Sequence, residues 1–178
     1  PAGNLLDSVI HITIDLFNNA FVHRGQMGVS LLKGAADRRS FEDAVAHELH
    51  HVGFHSWAAR DNVRQALLQQ RSGCSVAVRH LQNLLAEGLA NYYCTPGYVF
   101  SPESRDPPDA RLNARLTHLS KEEEPLFAQA EEVLAMSLRP GAAYEPCWEA
   151  FKALAFDLED RLLPAAHYLG ARMVQTMD

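Results

Sequence analysis

The sequence predicts an α+β fold that is mostly α, and three observations lead there. An apolar run near the N-terminus alternates with period two, and the segments after residue 40 repeat their apolar positions every three to four residues. No internal repeat, low-complexity tract or linker divides the chain. One compact domain over residues 1–178 is therefore expected, with a small β part over about 1–34 and a helical part over about 40–178. At 178 residues and 47% hydrophobic, the chain can bury one substantial core.

The first element is a strand from Val9 to Phe17, with Ile10, Ile12, Ile14 and Leu16 on the inward side and His11, Thr13 and Asp15 outward. Met27 to Leu32, set between Gly25 and Gly34, is a second strand that can pair with it. Ser40 followed by Asp43 makes a capping-box-like start for a helix from Phe41 to about Trp57. Asp61 to Gln70 is helix-compatible and ends at Ser72-Gly73. Cys74 to Cys94 carries the most regular helical pattern and is stopped by Thr95-Pro96-Gly97. Residues 96–110 contain Pro96, Gly97, Pro102, Pro107 and Pro108 and read as a surface loop or a lip over a cleft. Helical patterns follow over Ala110 to Leu119, Lys121 to Leu138, Glu145 to Leu163, and after Pro164.

Composition removes several function classes. Sixteen Lys+Arg against 22 Asp+Glu give a formal net charge of -6, so there is no basic field to attract nucleic acid. No apolar run approaches the roughly 18 residues of a spanning helix, so no membrane insertion is expected. The start at Pro1-Ala2-Gly3-Asn4 has neither an initiator Met nor a charged leader, and the chain is expected to be a soluble fragment of a longer one. Cys74, Cys94 and Cys147 cannot all pair, and on one helix Cys74 and Cys94 would stand about 30 Å apart. A disulfide framework is not expected.

Nine histidines direct attention to metal chemistry, and residues 47–51 concentrate it. His47-Glu48-Leu49-His50-His51 satisfies H-E-x-x-H. On a helix, His47 and His51 lie about 40° apart and one turn above the other, so both imidazoles can reach one ion. Glu48 lies about 100° from His47, beside the ion, where a carboxylate can take a proton from water without being a ligand. Val45, Leu49 and Val52 cluster on the opposite arc as the anchoring face, and His50 points elsewhere as a structural or surface histidine. His55 shares the face of His47 and His51, but three successive helix positions rarely converge tetrahedrally on one zinc, so it reads as a neighbour.

A catalytic zinc usually takes three protein ligands and keeps one position open. The longer pattern H-E-x-x-H-x-x-G-x-x-H fails, because Phe54 and Trp57 occupy the Gly and third His positions. The third ligand is then a glutamate from another helix, and Glu87 stands 87 − 51 = 36 residues past His51. On the wheel of that helix Val78, Leu81, Leu85, Leu89 and Tyr92 form an apolar stripe. His80, Asn83, Glu87, Asn91 and Cys94 form a polar one that can face a metal cleft. Gly88, costly in a helix, is explained if the two metal-bearing helices approach closely there, and Asn91 can hydrogen-bond a ligand imidazole.

With His47-Glu48-x-x-His51 and Glu87 in Glu-Gly-Leu-Ala-Asn, the chain resembles the gluzincin zinc metallopeptidases. More narrowly it is similar to the domain of unknown function 5700, a family described as zinc-dependent peptidases; the resemblance is carried by residues 40 to 95. It implies a zincin-like fold with a small N-terminal sheet, an H-E-x-x-H helix, a glutamate helix and C-terminal helices. It also implies one Zn2+ ion and a peptide or protein substrate laid along a sheet edge, a role the Val9 to Phe17 strand fits. Related enzymes stabilise the oxyanion with a Tyr, His or Arg from a late helix, which makes Tyr168, then His167, the candidates here. Where gluzincins often carry an acidic residue one turn after the ligand glutamate, this chain has Asn91. Two other readings are a non-catalytic zinc-stabilised binding module, which has no need of Glu48, and a hydrolase of small amides, which needs a closed pocket.

Overall fold

The computed structural model describes residues 9–13, 20–23, 26–30, 38–95, 99–100, 110–156 and 163–177. Three short strands, β1 (Ile10–Thr13), β2 (Ala20–His23) and β3 (Gln26–Ser30), form a sheet in the order β1-β3-β2. β1 runs parallel to β3 with Ile10 opposite Met27, and β2 runs antiparallel to β3 with Phe21 opposite Gly28. The pairing of the first strand with the Met27 segment is as expected, whereas β2 was not foreseen. Met27 to Ser30 are all buried, which makes β3 the core strand. Among the described residues β1 is an edge, and the inward side expected for it is corrected: Ile10 is 50% and Ile12 74% exposed. Ile14 to Phe17 and Leu31-Leu32 lie outside the described residues.

The helical part begins with α1 (Arg38–Ala58), which starts two residues before Ser40, so that position lies within the helix and not ahead of it. α2 (Asn62–Gln69) is capped by Asp61, whose carboxylate accepts from the Arg64 N–H at 3.0 Å. α3 (Gly73–Leu89) is capped by Ser72 and continues into a π-helical turn over Ala90–Cys94, matching the helix expected from Cys74 to Cys94. Then come α4 (Ala110–Lys121), α5 (Glu123–Ser137), α6 (Tyr144–Phe156) and α7 (Ala165–Met177). The helix expected to reach Leu163 is described as far as Phe156. Among the described residues no helix is long and apolar enough to cross a membrane, and the three cysteines are free.

α3 is the hub, packed against α2, α5, α6, α7 and α1. Its faces reverse the expected wheel. Leu81 and Leu85 are exposed, whereas His80 and Asn91 of the polar stripe are buried along with Val76, Leu84 and Gly88. Gly88 explains the reversal. A Cβ there would collide with the Gly170 carbonyl of α7, and one at Gly170 would collide with the Leu84 carbonyl. α3 turns its small and polar side inward because only that side lets α7 approach to backbone contact. The close partner of Gly88 is thus α7 and not the H-E-x-x-H helix.

Candidate metal centre

α1 and α3 bring together the three residues expected to hold an ion. One turn separates His47 from His51 on α1, and their Nε2 atoms stand 3.0 Å apart. Glu87 reaches across from α3 and places Oε2 3.4 Å from His47 Nε2 and 3.3 Å from His51 Nε2. One ligand atom from each lies within 4.8 Å of the others. A third imidazole, His167 of α7, sets Nδ1 3.2 Å from the same Oε2, its ring stacked on that of His47 with centroids 6.0 Å apart. Despite these neighbours, the buried Glu87 Oε2 makes no hydrogen bond among the described residues. Lone pairs converging this way repel unless protons or a cation sit among them, and two imidazoles with one carboxylate are a donor set that suits zinc. The residues therefore fit a metal ion.

Electrostatics point the same way. Burial alone would push the Glu87 carboxyl up, but His167, His47 and His51 overcome it and hold the group well below the usual carboxylate range. Burial disfavours a charged His51, yet Glu87 and Glu48 outweigh it and raise its pKa. Glu48 is raised by burial against the pull of His47 and His51. His167 is lowered by burial in spite of Glu87. A carboxylate held ionised beside a carboxyl made more basic separates the two tasks of binding a cation and accepting a proton.

Glu48 and His167 line a cavity of about 440 Å³ together with His47, His51 and Glu87. Tyr168, the residue expected first at the oxyanion, does not line it. It is 5% exposed, packs with Leu112, Leu116 and Leu163, and its hydroxyl donates to Glu123 of α5. Arg172 grips the same carboxylate with two N–H groups at 3.0 and 3.2 Å. Adjacent helix positions diverge by about 100°, so a rotation of α7 that aims residue 167 at Glu87 turns residue 168 away. Asn91, 1% exposed, donates to the Glu87 carbonyl at 2.8 Å and lies 3.4 Å from His167 Nδ1, so the imidazole it touches is that of His167. His50 stacks on Phe54, and His55 stays outside the trio with its ring 6.4 Å from that of His51.

Other cavity residues were missed in the sequence. Arg79 and Gln82 join Asn83 and Glu87 on one face of α3, a spacing of three, four and eight that the helical wheel contains. Trp148, Phe151 and Phe156 of α6 form an aromatic wall with no sequence signal that separates them from core. Phe21 enters from the unforeseen β2, the strand that borders the cavity in place of β1.

No curated protein and no solved structure matches the chain. A family model does: with residues 1–177 matching the family described as "Putative zinc dependent peptidase (DUF5700)", the chain belongs to that family.

Proposed function

We propose that this protein is a zinc-dependent hydrolase of the gluzincin type that cleaves peptide bonds, with His47, His51 and Glu87 as the metal ligands and Glu48 as the general base. The observation that carries the reading is the convergence of those three side chains beside a half-buried Glu48 in one cavity. A zinc ion held there supplies Lewis-acid polarisation of a carbonyl and acidification of water. Glu48 takes the proton of the attacking water and passes it to the leaving amine, a task its raised pKa favours. His167, next to Glu87 and in the cavity wall, is the nearest candidate to donate to the developing oxyanion.

The cavity wall supports a peptide over a small amide. Ala20, Phe21 and Val22 of β2 line it, and β2 is an edge of the sheet whose outer side pairs with no strand among the described residues. An extended chain can add to such an edge by main-chain hydrogen bonds. Glu48 supports catalysis over a purely structural ion, since a closed structural site gains nothing from an acid beside it. The test is zinc analysis and hydrolysis of a mixed peptide library by wild type and Glu48→Gln. The variant is expected to keep zinc and lose turnover; equal turnover by both removes Glu48 as the base.

A further inference from the structure

One polar chain in the cavity wall has no part in the metal trio. Arg64 of α2 donates through Nη1 to the Ala58 carbonyl at 2.7 Å, at the end of α1. Its Nε, at 3.2 Å, and its Nη2 both donate to Gln82 Oε1. Gln82 Nε2 in turn lies 3.4 Å from His55 Nδ1. His55 is exposed and lines the cavity one turn beyond His51.

Donor chemistry fixes the direction of this chain. A guanidinium has only donors, so the Gln82 oxygen must face Arg64 and its NH2 must face His55. An amide NH2 also only donates, so His55 Nδ1 must accept, and the proton of the neutral ring is left on Nε2. An imidazole is mostly neutral near pH 7, so the ring carries one proton and the donor pattern fixes which nitrogen holds it. No side chain or backbone group among the described residues occupies the His55 Nε2–H, which leaves it open to the cavity.

We infer that Arg64 and Gln82 are positioning residues that lock His55 as the Nε2–H tautomer, and that this N–H binds a carbonyl oxygen of the substrate. The 6.4 Å between the His51 and His55 rings corresponds to about two residues of extended peptide at roughly 3.3 Å each. His55 thus reads the chain beside the cleaved bond and not the bond itself. The substrate half rests on the peptidase reading; the tautomer does not.

The two halves are tested separately. Nitrogen-15 NMR of the histidine rings, with His55 assigned by its loss in His55→Phe, is expected to show Nδ1 unprotonated and Nε2 protonated in the wild type. In Gln82→Glu the new carboxylate can only accept, and Nδ1 is expected to gain a proton. A protonated Nδ1 in the wild type, or one indifferent to Gln82→Glu, overturns the lock. In kinetics, His55→Phe is expected to raise KM roughly three- to tenfold with kcat little changed, the size of one hydrogen bond, and His55→Gln to recover part of it. Unchanged KM in His55→Phe overturns the substrate contact. If the wild type cleaves no peptide, the peptidase reading falls together with the contact, and the NMR result still decides the tautomer.

Discussion

Gly88 and Gly170 meet backbone to backbone where α3 crosses α7, and the crossing sets Glu87 beside His167. Each glycine is next to, or one turn from, a residue of the cluster. The space a Cβ would need is filled by peptide carbonyls, which cannot swing aside as the end of a flexible side chain can. Packing of the helices and geometry of the site are therefore the same constraint.

Gly88→Ala tests it. In an isolated helix the substitution would gain about 1 kcal/mol. Here the added methyl meets the Gly170 carbonyl, and forcing it in is expected to cost more than that gain, for a net loss of about 1–3 kcal/mol. The midpoint of urea unfolding reads the sign directly. A midpoint at or above that of the wild type would mean that the helices are not in backbone contact.

Glu87→Gln keeps the shape of the side chain and removes its charge. The three imidazoles around Oε2 then lose the anion that faces them, and a cation held there would lose one of its three proposed ligands. Zinc affinity, measured by competition with a coloured chelator, is expected to fall by more than the roughly 10–100-fold typical of losing an outer-shell partner. His55→Gln, outside the trio, is expected to leave the affinity within about twofold of wild type. Equal losses in the two variants would displace Glu87 from the ligand set.

These sites differ in how far the sequence revealed them. His47, Glu48 and His51 are fixed relative to one another by a single helical turn, so their grouping is local and legible. Glu87 follows from the need for a third ligand. The rotation of α3 about its axis is not local: Leu81 and Leu85 mark an apolar stripe, yet α7 packs on the opposite side because glycine permits a closer approach than leucine. Which of His167 and Tyr168 faces the cavity depends on the matching rotation of α7, which that crossing sets. β2 escaped notice because Ala20–His23 is only four residues, too short for a period to declare itself.

Tyr168→Phe separates packing from chemistry on α7. The hydroxyl donates to a Glu123 carboxylate that Arg172 holds ionised, below the usual carboxylate range. Its loss removes a hydrogen bond to a charged group and is expected to cost roughly 1–3 kcal/mol of stability. Peptide turnover by the folded variant is expected to stay within about twofold of wild type. A loss of kcat of a hundredfold or more would return Tyr168 to the oxyanion.

His80 makes stability depend on pH. Its side chain is 0% exposed, its ring centroid lies 5.1 Å from that of Phe151, and neither ring nitrogen has a hydrogen-bond partner among the described residues. Burial lowers its pKa from 6.5 to about 4, so the folded state holds the ring neutral where the unfolded chain protonates it. Below 6.5 the unfolded state binds more protons, and stability is drained as pH falls toward 4; above 6.5 both states are neutral and the contribution is intact. The displacement corresponds to roughly 3 kcal/mol across that window. His80→Leu removes the proton site without breaking a hydrogen bond to His80, so near pH 7 it is expected to be neutral or stabilising. Urea unfolding at pH 7 and pH 4.5 is expected to show a smaller drop for the variant than for the wild type. Equal drops would mean that the fold carries a charged His80 without penalty.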